Sequence, residues 1–165
     1  MERGINTRCL HLEETEGKLE HYGKTENYGA ISYPIYQTAT YAHPGVGQST
    51  GFDYSRLQNP TKEHLEKIVA SLEHGCDALA LSTGMAAITL LMELFKPGDH
   101  LIVDSDLYGG SIRLFRNVSR KNGITFSAVD SYQDDVESFV KEETKAIYIE
   151  TPTNPMMNVT DIGKL

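Results

Sequence analysis

The feature that most constrains the fold of this chain is the alternation of helix-like and strand-like segments over residues 59–165. Asn59 precedes Pro60 as a helix cap and first-turn pair, and apolar residues then recur at helical spacing. Four strands are predicted after this helix, in "CDALALS" (76–82), "HLIVD" (100–104), "ITFSAV" (124–129) and "KAIYIE" (145–150). Three helices are predicted between them: one that begins at Gly84 and ends at "KPGD", one after "DLYGGS" with Phe115 and Val118 facing inward, and a weak one over residues 134–140. Strands separated by helices need crossover connections, so we expect a mostly parallel sheet covered on both faces. The predicted class is α/β.

Residues 1–58 differ in texture and are interpreted as an N-terminal arm, with residues 59–165 as an α/β domain. The arm is rich in Tyr, Thr, Gly and His, and it has room for one short helix over about residues 6–14. Its tyrosines need a surface to cover them; they are Tyr28, Tyr33, Tyr36 and Tyr41. Two alternatives stay open from the pattern alone, namely packing against another subunit and packing on the chain's own body.

The charge balance limits the classes of partner. The chain has 165 residues, with 15 Lys and Arg against 23 Asp and Glu, for a formal net charge of -8. Such a balance disfavours nucleic acid and anionic membrane surfaces. No apolar run approaches the roughly 20 residues of a membrane helix, so a cytoplasmic protein is predicted. Cys9 and Cys76 are interpreted as reduced thiols, and the six histidines lack ligand spacing, so no metal site is predicted.

Three loops follow strands at the edge of the sheet where α/β proteins bind ligands. In the first, Gly84 and Met85 begin a helix directly after a strand. Unpaired N–H groups at that position suit a phosphate, although a simple tight turn fits as well. The segment lacks the G-x-G-x-x-G and G-x-x-x-x-G-K-[ST] patterns, so an unrelated nucleotide binder is disfavoured.

The other two loops offer an aromatic ring and an amide. Tyr108 precedes two glycines and could stack on a planar ring, or it could be a partly buried turn residue. Asn154 lies between two prolines in "TPTNP", where its amide could bind a ligand oxygen or stabilise its own turn. At the end of the arm, Tyr54 and Arg56 in "YSR" offer a phenol and a bidentate fork for phosphate, although a salt bridge is the default for a single arginine.

Four motifs occur together in the order and approximate spacing of one known family: "YSRLQNPT", "LSTGMAA", "DLYGGS" and "ETPTNP". From about Thr7 onward, the chain resembles the pyridoxal-phosphate enzymes of cysteine and methionine metabolism. The resemblance implies the aspartate-aminotransferase-like fold, fold type I, of which this chain would supply the arm and the first part of the large parallel-sheet domain. It also implies a homo-oligomer that is a dimer of dimers when full length.

The resemblance further implies roles for individual residues. Gly84 and Met85 would bind the cofactor phosphate through their backbone amides. Tyr54 and Arg56 would reach the phosphate in a neighbouring subunit's active site. Tyr108 would stack on the pyridine ring and take part in proton transfer as a catalytic residue. At the remaining two positions, Arg113 would contact the substrate and Asn154 would hydrogen-bond the phenolic oxygen of the ring.

The resemblance also implies a cofactor-binding lysine and a pyridine-pairing aspartate, which we expect to fall beyond the end of this sequence. Lys164 lies in a different sequence context and is given no such role. The chain is therefore expected to be a truncated N-terminal portion that is inactive alone.

The predicted function is elimination or replacement at the γ or β carbon of sulfur amino acids or O-acyl homoserine, as in cystathionine γ-synthase or O-acetylhomoserine thiol-lyase. The alternatives are cystathionine γ- or β-lyase, and methionine γ-lyase, of which some members carry cysteine where this chain has Gly110. A non-catalytic module that associates with full-length subunits is the alternative from another class.

Overall fold

A computed structural model describes residues 4–6 and 30–165. Of the helix predicted over about residues 6–14, only residue 6 lies within these ranges. Cys9 and Tyr28 also lie outside the described residues. The chain divides into two compact units, Met1–Ala80 and Leu81–Leu165.

The first unit is organised around the helix α1, Pro60–Leu72. Asn59 is its N-cap, and the Asn59 side chain accepts a hydrogen bond from the backbone N–H of Thr61 at 2.9 Å. Proline at the first helical position has no N–H to leave unpaired. The helix predicted after Asn59 is therefore confirmed, together with its cap.

The described part of the arm packs on α1. The Tyr33 ring stacks on the His64 ring with centroids 3.9 Å apart, and the Tyr36 N–H donates to Thr61 Oγ1 at 2.8 Å. Of the two alternatives for the arm tyrosines, packing on the chain's own body therefore holds for Tyr33 and Tyr36. Ile31 and Ile35 remain 87% and 76% exposed, so contact with another subunit stays a prediction for this outer face.

The second unit contains a three-stranded parallel sheet. Its strands are β1 (His100–Asp104), β2 (Thr125–Val129) and β3 (Thr144–Tyr148), in the order β2-β1-β3. All five residues of the central strand β1 are buried, as a strand covered on both faces requires. The α/β class and the parallel sheet are confirmed.

Helices and turns connect these strands. They are α2 (Gly84–Met92), α3 (Gly109–Leu114) with a π-helical continuation over Phe115–Ser119, and single 3-10 turns at Val136–Phe139 and Ile162–Lys164. Alternate β1 residues point to opposite faces. Leu101 and Val103 pack with residues of both helices, including Met92 and Phe115, and Ile102 packs with residues after β1, including Val136. Each face of the sheet thus has its own apolar cluster.

The strand predicted over residues 76–82 is wrong. No strand is formed there, and Leu79 is 67% exposed. A strand exists only where a neighbouring strand pairs its backbone groups, and none of the three described strands pairs with this segment. Its N–H groups bond to side chains instead, with Ala80 donating to Glu66 Oε1 at 2.8 Å and Ala78 to Asp77 Oδ1 at 2.8 Å.

Two smaller predictions also need correction. Val118 was expected to face inward with Phe115, but it is 49% exposed, whereas Ser119 is buried. The π-helical turn carries more residues per turn than an α-helix, and this rotates Val118 away from the core. The weak helix over 134–140 is only the 3-10 turn. Within the described ranges, every helix is too short or too polar to cross a membrane.

Candidate functional site

The junction before α2 presents two free backbone donors. Thr83 caps the helix: its Oγ1 accepts from Ala86 N–H at 3.0 Å, and its carbonyl accepts from Ala87 N–H at 3.1 Å. The N–H groups of Gly84 and Met85 have no acceptor among residues 4–6 and 30–165. The first turn has no acidic residue, and a Cβ built on Gly84 would meet no atom within 4 Å. The two donors therefore open onto free space at the positive end of the helix dipole, which suits a phosphate.

Met85 and Tyr108 converge on Gly110. A Cβ built on Gly110 would lie 2.8 Å from Met85 Sδ and 2.5 Å from Tyr108 Cε1. Both distances are shorter than van der Waals contact, so only glycine allows both side chains to approach this closely. Gly110 itself is buried, whereas the Tyr108 side chain is 45% exposed. The structure thus places an accessible aromatic ring beside the phosphate-type turn.

Arg113 lies one turn further along α3. Its side chain is exposed, and its Nη1 atom lies 3.6 Å from a Cβ built on Gly109, the first residue of the helix. The guanidinium group therefore folds back toward the turn that carries Tyr108, where a cation is available to an anionic ligand.

Asn154 lies on a tightly bonded loop after β3. Thr153 and Asn158 close the loop with three hydrogen bonds: Thr153 N–H to the Asn158 carbonyl at 2.9 Å, Met157 N–H to the Thr153 carbonyl at 3.1 Å, and Asn158 N–H to Thr153 Oγ1 at 2.9 Å. The peptide bonds before Pro152 and Pro155 are cis. Asn154 is exposed, and its side chain forms no hydrogen bond in the described part of the chain. The turn is therefore held by its neighbours, and the Asn154 amide is available to a ligand.

The structure also shows contacts that the sequence reasoning missed. Tyr108 N–H donates to Glu150 Oε2 at 3.0 Å, and Asp106 Oδ2 accepts from Thr153 Oγ1 and, at 3.3 Å, from Asn158 Nδ2. The signal that could have found them was a carboxylate in each loop, in "SDLYGG" and in "ETPTNP", at strand ends that meet on one edge of a parallel sheet.

Burial changes the acidity of one phenol near these contacts. It raises the pKa of Tyr148 above its ordinary value; the Ser111 hydroxyl opposes this shift, and the negative charge of Glu150 adds to it. Tyr148 therefore stays protonated as a packing residue of the core. In the described ranges, no cluster of three or more His, Cys, Asp or Glu side chains is arranged to hold a metal ion.

Tyr54 and Arg56 belong to the first unit, whereas the other predicted site residues belong to the second. Ser55 faces inward and bonds to Asn59 Nδ2 at 3.0 Å, so its two neighbours in the chain face solvent. Arg56 Cζ lies 5.0 Å from the Tyr54 ring centroid, a cation–π contact. Arg56 forms no salt bridge in the part of the chain that the structure describes, so the default expectation for a single arginine does not hold here.

Comparison with known proteins shows which family the chain is similar to. Residues 16–165 match the family model described as Cys/Met metabolism PLP-dependent enzyme. The chain is 50% identical over 153 residues to a cystathionine gamma-synthase/O-acetylhomoserine (thiol)-lyase of Bacillus subtilis (strain 168). The matched region covers 91% of this chain and 41% of that protein. The chain is 49% identical over 138 residues to a cystathionine gamma-lyase of the same organism, covering 83% and 36%.

A solved structure shows the same likeness. The crystal structure of cystathionine gamma-lyase from Lactobacillus plantarum complexed with L-serine superposes with a TM-score of 0.81 at 39% identity, covering 98% of this chain and 40% of that one. The chain therefore spans less than half the length of these relatives.

Proposed function

The chain belongs to the Cys/Met metabolism PLP-dependent enzymes, and from this premise we propose that it forms the N-terminal part of an enzyme of transsulfuration. Pyridoxal phosphate is the cofactor of the family. The proposed reaction is elimination or replacement at the γ or β carbon of a sulfur amino acid or of an O-acyl homoserine. The main support from the geometry is that two free N–H groups adjoin an accessible tyrosine ring over Gly110.

The residues present fit the phosphate of this cofactor. Gly84 and Met85 supply two backbone donors that have no described protein acceptor, and the space in front of Gly84 is open. Tyr54 and Arg56 expose a phenol and a guanidinium on one surface of the first unit, and we assign them to the phosphate of a neighbouring subunit. Such a shared site makes a homo-oligomer part of the proposal, and for the complete protein the assembly is a dimer of dimers.

The other residues fit the ring and the substrate. Tyr108 would stack on the ring and, as the catalytic residue, would move a proton at its hydroxyl oxygen. Asn154 would donate its amide N–H to the phenolic oxygen of the ring, and Arg113 would contact the substrate. When bound, pyridoxal phosphate supplies an electron sink for the bonds at the substrate's α carbon. The lysine that would hold it covalently, and the aspartate at its pyridine nitrogen, are not assigned to any residue of this chain.

The member of the family that we favour is a cystathionine γ-synthase or O-acetylhomoserine thiol-lyase. The relative at 50% identity with that name supports it, while relatives named cystathionine gamma-lyase and cystathionine beta-lyase, both at 49%, support the alternative. Methionine γ-lyase is disfavoured, because some members carry cysteine at the position where this chain has Gly110.

A single backbone donor can be removed to test the phosphate site. Gly84 is the first residue of α2 and follows the extended residue Thr83, so proline fits there without disturbing the helix. In the complete protein we expect Gly84→Pro to weaken pyridoxal-phosphate binding about tenfold or more, because it deletes one hydrogen bond to a charged group. Gly84→Ala keeps the N–H and serves as the matched control.

The measurement is a titration that follows cofactor absorbance, repeated with pyridoxal, which has no phosphate. We expect only the proline variant to lose affinity, and only for pyridoxal phosphate, with its affinity for pyridoxal unchanged. An affinity of the proline variant equal to that of both wild type and the alanine variant would contradict the phosphate site. Borohydride reduction of the titrated protein, followed by peptide mapping, then identifies the lysine that holds the cofactor.

A further inference from the structure

Two loops at the carboxyl edge of the sheet exchange carboxylate contacts. Glu150, from the end of β3, accepts the Tyr108 N–H at 3.0 Å. In the opposite direction Asp106, from the loop after β1, accepts both the Thr153 hydroxyl and the Asn158 amide. Because β1 and β3 are neighbouring parallel strands, these contacts tie adjacent loops together at one edge. We call the four residues Asp106, Glu150, Thr153 and Asn158 the loop brace.

The two hydrogen bonds from the Asn154 loop to Asp106 fix where that loop lies, and they are not needed for its shape. The hydrogen bonds between Thr153 and Asn158 already close the turn from within. The bonds to Asp106 add nothing to this internal closure, but they attach the loop to the segment that carries Tyr108. A charged acceptor that receives two bonds is stronger than a neutral one.

Burial makes the attachment specific. Thr153 is only 1% exposed and Asp106 is half-buried, so water replaces the bond between them poorly. An unpaired polar group in such a place destabilises the arrangement. Alternative placements of the Asn154 loop are therefore disfavoured while Asp106 is present.

From these contacts we infer that Asp106 and Glu150 are positioning residues, which hold the Tyr108 ring and the Asn154 amide at one relative geometry for the bound cofactor. The inference rests on the proposed function, since Tyr108 and Asn154 are its assigned ring contacts. Neither carboxylate touches the cofactor; each acts through the loop that it holds. Asp106 adjoins the turn that leads to Tyr108, and its partner Thr153 directly precedes Asn154 in the chain.

The test compares Asp106→Ala and Asp106→Asn in the complete protein loaded with pyridoxal phosphate. Asparagine keeps an oxygen that can accept one or both bonds, whereas alanine keeps none. The readouts are the visible circular dichroism of the bound cofactor, its dissociation constant and the thermal unfolding midpoint. Asp135→Ala is the matched control, because Asp135 is exposed and its side chain bonds to no described residue.

We expect Asp106→Ala to change the cofactor dichroism and to weaken binding about tenfold. Asp106→Asn restores most of both, and Asp135→Ala changes neither. Glu150→Ala and Glu150→Gln repeat the same comparison for the other half of the brace. If an alanine variant at position 106 or 150 fails to fold, Asn158→Ala still decides, because it removes the Nδ2 donor to Asp106 and leaves the backbone hydrogen bonds of the loop in place. A dichroism change that exceeds the Asp135→Ala control then supports the inference, and no change overturns it.

A double variant separates this inference from the proposed function. Asn154→Ala alone should alter the dichroism, and adding Asp106→Ala should alter it little further, because both changes remove the same amide from its place. An effect of Asn154→Ala without one of Asp106→Ala overturns only the loop brace. If Asn154→Ala and Gly84→Pro both leave the cofactor unaffected, the proposed function fails as well.

Discussion

At the scale of single residues, Gly110 decides how closely the Met85 and Tyr108 side chains approach each other. A methyl group at this position would lie 2.5 Å from the Tyr108 ring, so one of the neighbours must move. The ring is half-exposed and free to rotate away, whereas the helix backbone is not. A glycine that is buried against an exposed aromatic ring therefore controls the placement of that ring.

We predict that Gly110→Ala lowers cofactor affinity and alters the visible circular dichroism, because the displaced Tyr108 ring no longer stacks as proposed. Gly109→Ala is the matched control, since among residues 4–6 and 30–165 the only atom within 4 Å of its added Cβ is Arg113 Nη1, at 3.6 Å. Both glycines lie in the first turn of α3, so helix propensity favours alanine in both variants and does not by itself distinguish them. Indistinguishable spectra for the two variants would show that the ring adapts without consequence.

His100 is a buried residue outside the site whose protonation affects stability. It is 1% exposed and joins all three strands, with Nδ1 2.7 Å from Thr144 Oγ1 and Nε2 2.9 Å from Ser127 Oγ. Burial lowers the pKa of His100 below its ordinary value of 6.5, Lys141 lowers this pKa further, and Glu143 opposes the shift. The neutral imidazole is therefore the form that the fold favours.

The sign of the pH effect follows from this direction. The unfolded chain takes up a proton as the pH falls through about 6.5, while folded His100 does so only at lower pH. We expect the free energy of unfolding to decrease over that window and to change no further below the folded pKa. Comparing wild type with His100→Gln by denaturant unfolding at about pH 7.5 and pH 5.5 checks this. A pH dependence of equal size in the two proteins would exclude His100 as its source.

At the scale of elements, α1 shows how one cap residue organises a larger segment. Besides accepting from Thr61, Asn59 donates through Nδ2 to the Tyr36 carbonyl at 3.2 Å, to Tyr41 Oη at 3.1 Å and to Ser55 Oγ at 3.0 Å. The helix start and the arm therefore share one side chain.

We predict that Asn59→Ala lowers the free energy of unfolding by about 2 kcal/mol, since it removes the cap and the donors together. Asn59→Asp keeps the cap acceptor and should cost roughly half as much. Asn117→Ala, an exposed change in the π-helical turn, is the control. Denaturant unfolding measures the free energy of unfolding of all three variants. If Asn59→Ala and Asn59→Asp lower it equally, the whole effect belongs to the hydrogen bonds that Asn59 Nδ2 donates.

At the scale of the whole molecule, the proposed site draws residues from two copies of the chain. Tyr54 and Arg56 face solvent on the first unit, and they are proposed to complete the phosphate site of a neighbouring subunit. Subunits that are inactive for different reasons should then complement each other.

We predict that mixing Arg56→Ala and Asn154→Ala subunits restores about a quarter of the wild-type sites, because half of the randomly formed dimers carry one unaltered site of two. Mixing Gly84→Pro with Asn154→Ala, both changes within one subunit's part of the site, should restore none. Activity after refolding of the mixtures is the measurement. If the two mixtures behave alike, Arg56 acts within its own subunit.

Patterns among neighbouring residues were enough to predict the local features of this protein. The cap at Asn59, the helix starts at Pro60 and Gly84, the strand at His100–Asp104 and the parallel α/β class depend on propensity, capping and hydrophobic period, which are encoded in neighbouring residues. The four motifs likewise indicated the family, which the comparisons confirm. The roles of the individual site residues remain predictions.

Features that join residues distant in the chain could not be predicted from such patterns and are seen only in the folded protein. Residues 76–82 have a strand-like sequence but no described strand pairs with them, and the rotation of Val118 follows from a π-helical turn. The contacts of Asp106 with Thr153 and of Met85 with Gly110 join segments that only the folded sheet brings together. The physical reason is that pairing, burial and close approach belong to two segments at once, whereas propensity belongs to one.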